Sequence, residues 1–158
     1  MTGPTTLSHP LTINGAAVRV PALEQSLTYT HSGTLATTNE NCCTDIPGLA
    51  KTLVLSQTSK VIVTYTQAGS ISSGGSWRYI FTYLKKRSDS GNGVGAWTTL
   101  DAASSVYGVG VGADVAIGTN DGMWIGELVA GSHEFMVTYR SSGDVNPYSP
   151  WTMAILVL

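Results

Sequence analysis

Charge is what this chain has least of. Lys, Arg, Asp and Glu make up 11% of 158 residues, eight basic against ten acidic, for a formal net charge of -2. No basic field exists for a nucleic-acid backbone, so no nucleic-acid partner is predicted. The exposed face of a helix usually needs Lys and Glu, and nowhere do apolar residues recur at i, i+3, i+4 and i+7 over three turns. Almost no helix is expected. No apolar run approaches the ~20 residues that span a bilayer as a helix, so no membrane partner is predicted either. Cysteine is nearly absent too. Cys42 and Cys43 are adjacent, which excludes both a disulfide framework and a zinc site of spaced cysteines within one chain. Two reduced thiols, a vicinal disulfide and a bond between subunits remain open.

The motifs of common catalytic chemistries are missing as well. No Gly-x-Ser-x-Gly elbow occurs, and the cysteine pair has no evident base. The acids Asp45, Asp89, Asp101, Asp114, Asp121, Glu127, Glu134 and Asp144 are scattered singly, most of them in turns beside Gly or Asn. Gly108-Val-Gly110-Val-Gly112-Ala113 formally fits a dinucleotide fingerprint, but Asp114-Val-Ala-Ile-Gly118 behind it is not helical. A glycine-rich strand is the better reading. His133-Glu134 opens like a zinc-protease motif without a second histidine four residues on, and in a strand the two would face opposite ways. His9 and His31 lie in the N-terminal region. We expect no enzyme, no metal and no cofactor.

What the chain does have is 42% hydrophobic residues and 18 glycines in a Ser/Thr-rich background, a mixture suited to short strands joined by turns. Residues 1–40 read as an N-terminal arm with edge strands: Leu11 to Val20 around the hairpin signal Asn14-Gly15, then Leu27 to Thr30. Residues 41–158 read as one sandwich domain. Within it, Asp45-Ile46-Pro47-Gly48-Leu49 is predicted to turn into a strand over Lys51 to Ser56. Val61, Val63 and Tyr65 alternate with Ile62, Thr64 and Thr66, and Trp77, Tyr79, Phe81 and Tyr83 with Arg78, Ile80, Thr82 and Leu84. Lys85-Lys86-Arg87 marks the strand's end at a loop over Ser88 to Gly95. Trp97 to Leu100, Val106 to Val111, Val115 to Thr119 and Met123 to Val129 give further pieces. Phe135, Val137 and Tyr139 alternate with Glu134, Met136, Thr138 and Arg140, and Trp151 to Leu158 is apolar at nearly every position. A strand of that last kind is hidden on both faces. The predicted fold is all-β, an antiparallel jelly-roll sandwich.

The order of Asp45-Ile-Pro-Gly-Leu49, strand Val61-Ile62-Val63, Gly131-Ser-His-Glu-Phe-Met-Val-Thr-Tyr-Arg140 and an apolar last strand resembles tumour-necrosis-factor-like or complement-head-like jelly rolls. Such domains occur in phage virion fibres and bacterial surface proteins. The resemblance covers about residues 40–158 and implies a homotrimer with apolar strands along its axis, which would cover the second face of Trp151 to Leu158. The 45–49 turn is also similar to one in a tumour-necrosis-factor-like bacterial lectin domain. That family binds fucose between protomers through two arginines, tyrosines, hydroxyls and an aspartate. Arg140 matches one of its arginines, Asn146 falls near the aspartate and Thr98 near a threonine. Around Ser104-Ser105-Val106-Tyr107 there is no second arginine, and Asn146 lacks the carboxylate, so a bidentate donor to the sugar is missing.

The loop Ser141 to Pro150 is the best functional candidate by residue type. It offers a carboxylate (Asp144), an amide (Asn146) and an aromatic plate (Tyr148), with Arg140 at its base and two prolines to shape it. Such a set suits a sugar, whose C–H face lies on a ring while its hydroxyls are gripped by charged or amide groups. The candidate glycan residues are therefore Arg140, Asp144, Asn146, Tyr148 and Thr98. The first twenty residues lack a cationic start and a continuous apolar core, so no secretory signal is predicted. The expected function is a non-enzymatic trimeric virion surface protein (phage fibre, spike or decoration protein) whose arm meets other virion structural proteins and which can bind surface glycans. The alternative is a soluble trimeric bacterial lectin for fucose-like sugars.

Overall fold

A computed structural model describes the backbone of residues 12–13, 16–17, 22–29, 43–72, 78–89, 95–107, 115–142, 144–147 and 151–158. Side chains are described for 43–69, 79–89, 95–102, 120–142, 144–145 and 151–158. Eleven strands and no helix occupy these residues. They are β1 (Thr12–Ile13), β2 (Ala16–Ala17), β3 (Ala22–Tyr29), β4 (Thr44–Leu55), β5 (Ser59–Ser72), β6 (Arg78–Asp89), β7 (Thr98–Tyr107), β8 (Val115–Leu128), β9 (Gly131–Ser141), β10 (Val145–Pro147) and β11 (Trp151–Val157). The protein is all-β and every pairing is antiparallel.

Apart from the small β1–β2 ladder bracketing Asn14-Gly15, the strands form two sheets. Sheet one runs β3-β11-β5-β8, with β10 pairing the far end of β5 on the side where β11 lies; sheet two runs β4-β9-β6-β7. The pairing is nested: β3 with β11, β4 with β9, β5 with β8, β6 with β7. The two sheets share one core. From sheet one come Val61, Val63, Tyr65, Trp151, Met153 and Ile155; from sheet two come Ile46, Leu49, Leu53, Ile80, Leu84, Phe135, Val137 and Tyr139. Trp151 is fully enclosed, meets Tyr139 edge-on at 6.0 Å, and donates Nε1–H to the Ala68 carbonyl at 2.7 Å. A buried indole needs such an acceptor.

Several expected boundaries shift. The 45–49 turn lies inside β4, where the register with β9 jumps between Asp45 and Ala50 and Gly48 has φ 83°. Pro47 cannot donate to a ladder and Gly48 takes the left-handed turn, so the strand bulges rather than ends, and Ile46 and Leu49 still reach the core. Lys85-Lys86-Arg87 lies within β6, which continues to Asp89. The pieces 115–119 and 123–129 are one strand paired along β5, running through the turn-like Asn120-Asp121-Gly122. Asn120 is buried there and donates Nδ2–H to the Ile80 carbonyl at 3.2 Å and to Thr82 Oγ1 at 3.1 Å. Thr82 donates in turn to Gln67 Oε1 at 3.2 Å. A Cβ on Gly122 would collide with the Tyr65 ring and with Asp101 Oδ2. Packing, not turn chemistry, selects these residues. Cys43 is disulfide-bonded, and Cys42 is the chain's only other cysteine; the reading of two reduced thiols is set aside. Trp77 and Gly108 to Ala113 lie outside the described residues.

The last strand is covered on one face only. Trp151, Met153 and Ile155 are sealed in the core, while Thr152, Ala154 and Leu156 stay half-buried on the outward face of sheet one. No described helix is long and apolar enough to cross a membrane.

Because Tyr65 is held in the core, Gly122→Ala forces overpacking and is expected to lower unfolding free energy by about 1–3 kcal/mol. Val54→Thr, at a site 71% exposed, should change it by less than about 0.5 kcal/mol. Denaturant midpoints of the two variants against the parent check the contrast.

Candidate functional site

In sheet two, alternation decides which side chains meet solvent. With Phe135, Val137 and Tyr139 in the core, Glu134, Met136, Thr138 and Arg140 of β9 point outward. In register beside them on β6 stand Arg87, Lys85, Tyr83 and Phe81. The inward set of β6 is Ile80, Thr82 and Leu84, all fully buried, so its three aromatics form a ladder on the outside. Tyr79 and Phe81 lie 5.1 Å apart between ring centroids, and Phe81 and Tyr83 lie 6.4 Å apart and close to parallel at 22°.

Arg140 closes one end of this ladder. Its guanidinium sits over the Tyr79 ring at 5.5 Å, and Nη2 donates to the Tyr79 hydroxyl at 3.3 Å. The chain leaves β9 along β6: Ser142 N–H donates to the Tyr79 carbonyl at 3.1 Å, and Ser142 Oγ accepts from Tyr79 N–H at 2.9 Å. Two polar atoms on this face are enclosed without a hydrogen-bond partner, Thr138 Oγ1 and Arg140 Nε. Thr138 is completely buried although it points outward.

Further along the same face Arg87 binds Glu134 Oε2 through both Nη2 and Nε at 2.6 Å and lies 4.5 Å over the Trp97 ring. Both partners are about a third exposed, so the ion pair contributes about 0–1 kcal/mol. Thr52, Asp89 and Ser132 complete a shallow polar pocket around it. On the inward side of the same pair of strands, His133 Nε2–H donates to the Val129 carbonyl at 2.9 Å. His133 Nδ1 is hydrogen-bonded to the Ser88 hydroxyl at 2.9 Å, and Ser88 Oγ accepts from Lys86 Nζ at 2.8 Å. His133 and Glu134 face opposite ways, and among the described residues no three His, Cys, Asp or Glu side chains gather to hold a metal.

Of the five residues singled out in the sequence, Thr98 and Asn146 are set apart from Arg140 within one protomer. Arg140 is paired with Phe81, whereas Thr98 is paired with Lys86, five residues along β6, or about 17 Å away. Asp144 is exposed just beyond β9. Asn146 is in β10, opposite Ser70 in sheet one, and Tyr148 lies outside the described residues. Arg140 instead lies against Tyr79 and beside Phe81 in register, with the Tyr83–Thr138 pair next along the face, and sequence reasoning passed over them. A signal was available: residues 79, 81, 83, 85, 87 and 89 share a face, and Lys85, Arg87 and Asp89 mark it as the wet one.

No protein-family model matches the chain, and no curated protein matches it either.

Leaving a buried hydroxyl without a partner costs about 1–3 kcal/mol. Thr138→Val keeps the shape and removes the hydroxyl, so stability should hold or rise by up to that amount. A thermal or denaturant midpoint that falls would show that Oγ1 is satisfied in solution.

Proposed function

We propose that this chain is a non-enzymatic jelly-roll module that assembles as a homotrimer and serves as a virion surface protein, a phage fibre, spike or decoration component, with glycan recognition as its binding activity. The nested pairing carries the fold half of this reading. Two four-strand sheets in which the first of eight long strands pairs with the last, the second with the seventh, and so inward, match a double-sheet jelly roll.

The outward face of sheet one supports self-association. Leu156, Ile62 and Ile125 stand side by side on β11, β5 and β8, followed by the row Ala154, Thr64 and Met123. Ile125 and Met123 are 47% and 58% exposed. Three copies meeting on this face would bury the second side of the last strand, and the Lys60–Glu127 row beside it would form a polar rim. The arm preceding β3 is the segment proposed to meet other particle proteins. A deletion to test that must stop short of Ala22, because Ala22–Tyr29 pairs with the last strand. The lectin reading rests on Arg140 and its aromatic neighbours, not on a converged 140–148 loop.

The purified chain is expected to sediment at three times its 16.6 kDa protomer mass. Ile125→Lys places an unpaired charge in the proposed seam and should give monomers with unchanged strand content by circular dichroism. A parent protein that is monomeric at tens of micromolar would overturn the trimer.

A further inference from the structure

The two outward faces of the sandwich differ in chemistry. The described large hydrophobics with high exposure are Val54, Met123, Ile125, Val129 and Leu158, and only Val54 belongs to sheet two. Sheet two instead presents the half-buried rings of Tyr79, Phe81 and Tyr83 with cations at their ends. Among the described residues Arg140 and Lys85 form no salt bridge, and the ion pair on this face is Arg87 with Glu134. Nη2 of Arg140 is held by the Tyr79 hydroxyl, the guanidinium lies over the Tyr79 ring, and Nε is enclosed.

Apart from Val54, the described residues of this face present no large, highly exposed aliphatic side chain, so we take a sugar rather than a protein as its ligand. A sugar matches what is there: its C–H faces pack on aromatic rings, and its polar groups reach the ring hydroxyls and cations at the edges. Two unpaired positive charges add a requirement for negative charge on the ligand. Arg140 pairs with Phe81, and Lys85 lies four residues along β6, so the backbones that carry the two cations are about 13 Å apart along the strand. A ligand that engages both is longer than one sugar ring.

We infer that the outward face of sheet two binds an acidic oligosaccharide, laid along Tyr79, Phe81 and Tyr83 with its carboxylates toward Arg140 and Lys85. This rests on the glycan half of the proposed function but not on the trimer. The site is built by β6 and β9 of one protomer.

Titration calorimetry with hyaluronan tetrasaccharide, tetragalacturonate and sialyllactose, against neutral cellotetraose and maltotetraose, tests it. Native mass is measured on every sample, so loss of the trimer and loss of binding are separate readouts. The expected result is saturable binding of at least one acidic chain, weakened by added salt, with neutral chains binding at least about tenfold more weakly. Arg140→Gln should cost about tenfold or more. Lys85→Glu, a change at a partly exposed position that leaves the core untouched, should also weaken acidic chains while leaving neutral ones as they were. Tyr83→Ser should weaken both. Equal affinity for neutral and acidic chains, binding that survives both charge changes, or no binding by any probe would each overturn the inference.

Discussion

The structure depends on the placement of β9. It is hydrogen-bonded to β4 on one side and β6 on the other, and its apolar set, Phe135, Val137 and Tyr139, is drawn into the core. Successive side chains on a strand must face opposite ways, so that single commitment sends Glu134, Thr138 and Arg140 outward. The ladder bonds then transmit the choice to β6 residue by residue. A slip of one position would put Thr138 and Arg140 into the core and Phe135 into water, exchanging the whole set at once. The aromatic ladder on the surface is thus a consequence of what β9 buries.

The same logic separates the faces of the sandwich. In sheet one, the strands that bury Trp151, Met153 and Ile155 turn the half-buried Ala154 and Leu156 outward beside Ile62 and Ile125. That face is aliphatic, and it is the one proposed to meet further copies of the chain. The outer face of sheet two is aromatic and charged, a surface that water can wet and a polyhydroxylated ligand can use. Between them the core is not purely apolar. Gln67, Thr82 and Asn120 form a buried hydrogen-bonded chain across β5, β6 and β8. Such a network ties the two sheets in one alignment, because a shifted strand would strand these donors in an apolar interior.

The candidate site was only partly legible before the fold was known. Arg140 stood out by position, and the 141–150 loop by composition. A loop's composition, however, does not say which sheet its two halves will join, and here Arg140 stays in sheet two while Asn146 crosses to sheet one. Thr98 was selected by likeness to a lectin, and register places it at the other end of β6. The rings beside Arg140 were visible as an alternating run, but an alternating run of aromatics reads equally well as a core face. The parity of Lys85, Arg87 and Asp89 points the other way.

By itself the sequence determined the class: sparse charge, absent helical periodicity and regular period-two runs leave almost no room for helix and favour antiparallel strands with one buried face. It also marked Trp151 to Leu158 as central, since near-continuous apolarity follows from local composition alone. Tertiary structure decided where strands continue and which side of each faces in. Asn120-Asp121-Gly122 carries turn chemistry, yet stays in a strand because Asn120 finds partners on β6 and Gly122 makes room for Tyr65. Those partners are distant in sequence. A preference of a few tenths of a kcal/mol for a local turn yields to buried hydrogen bonds and packing worth more than about 1 kcal/mol each.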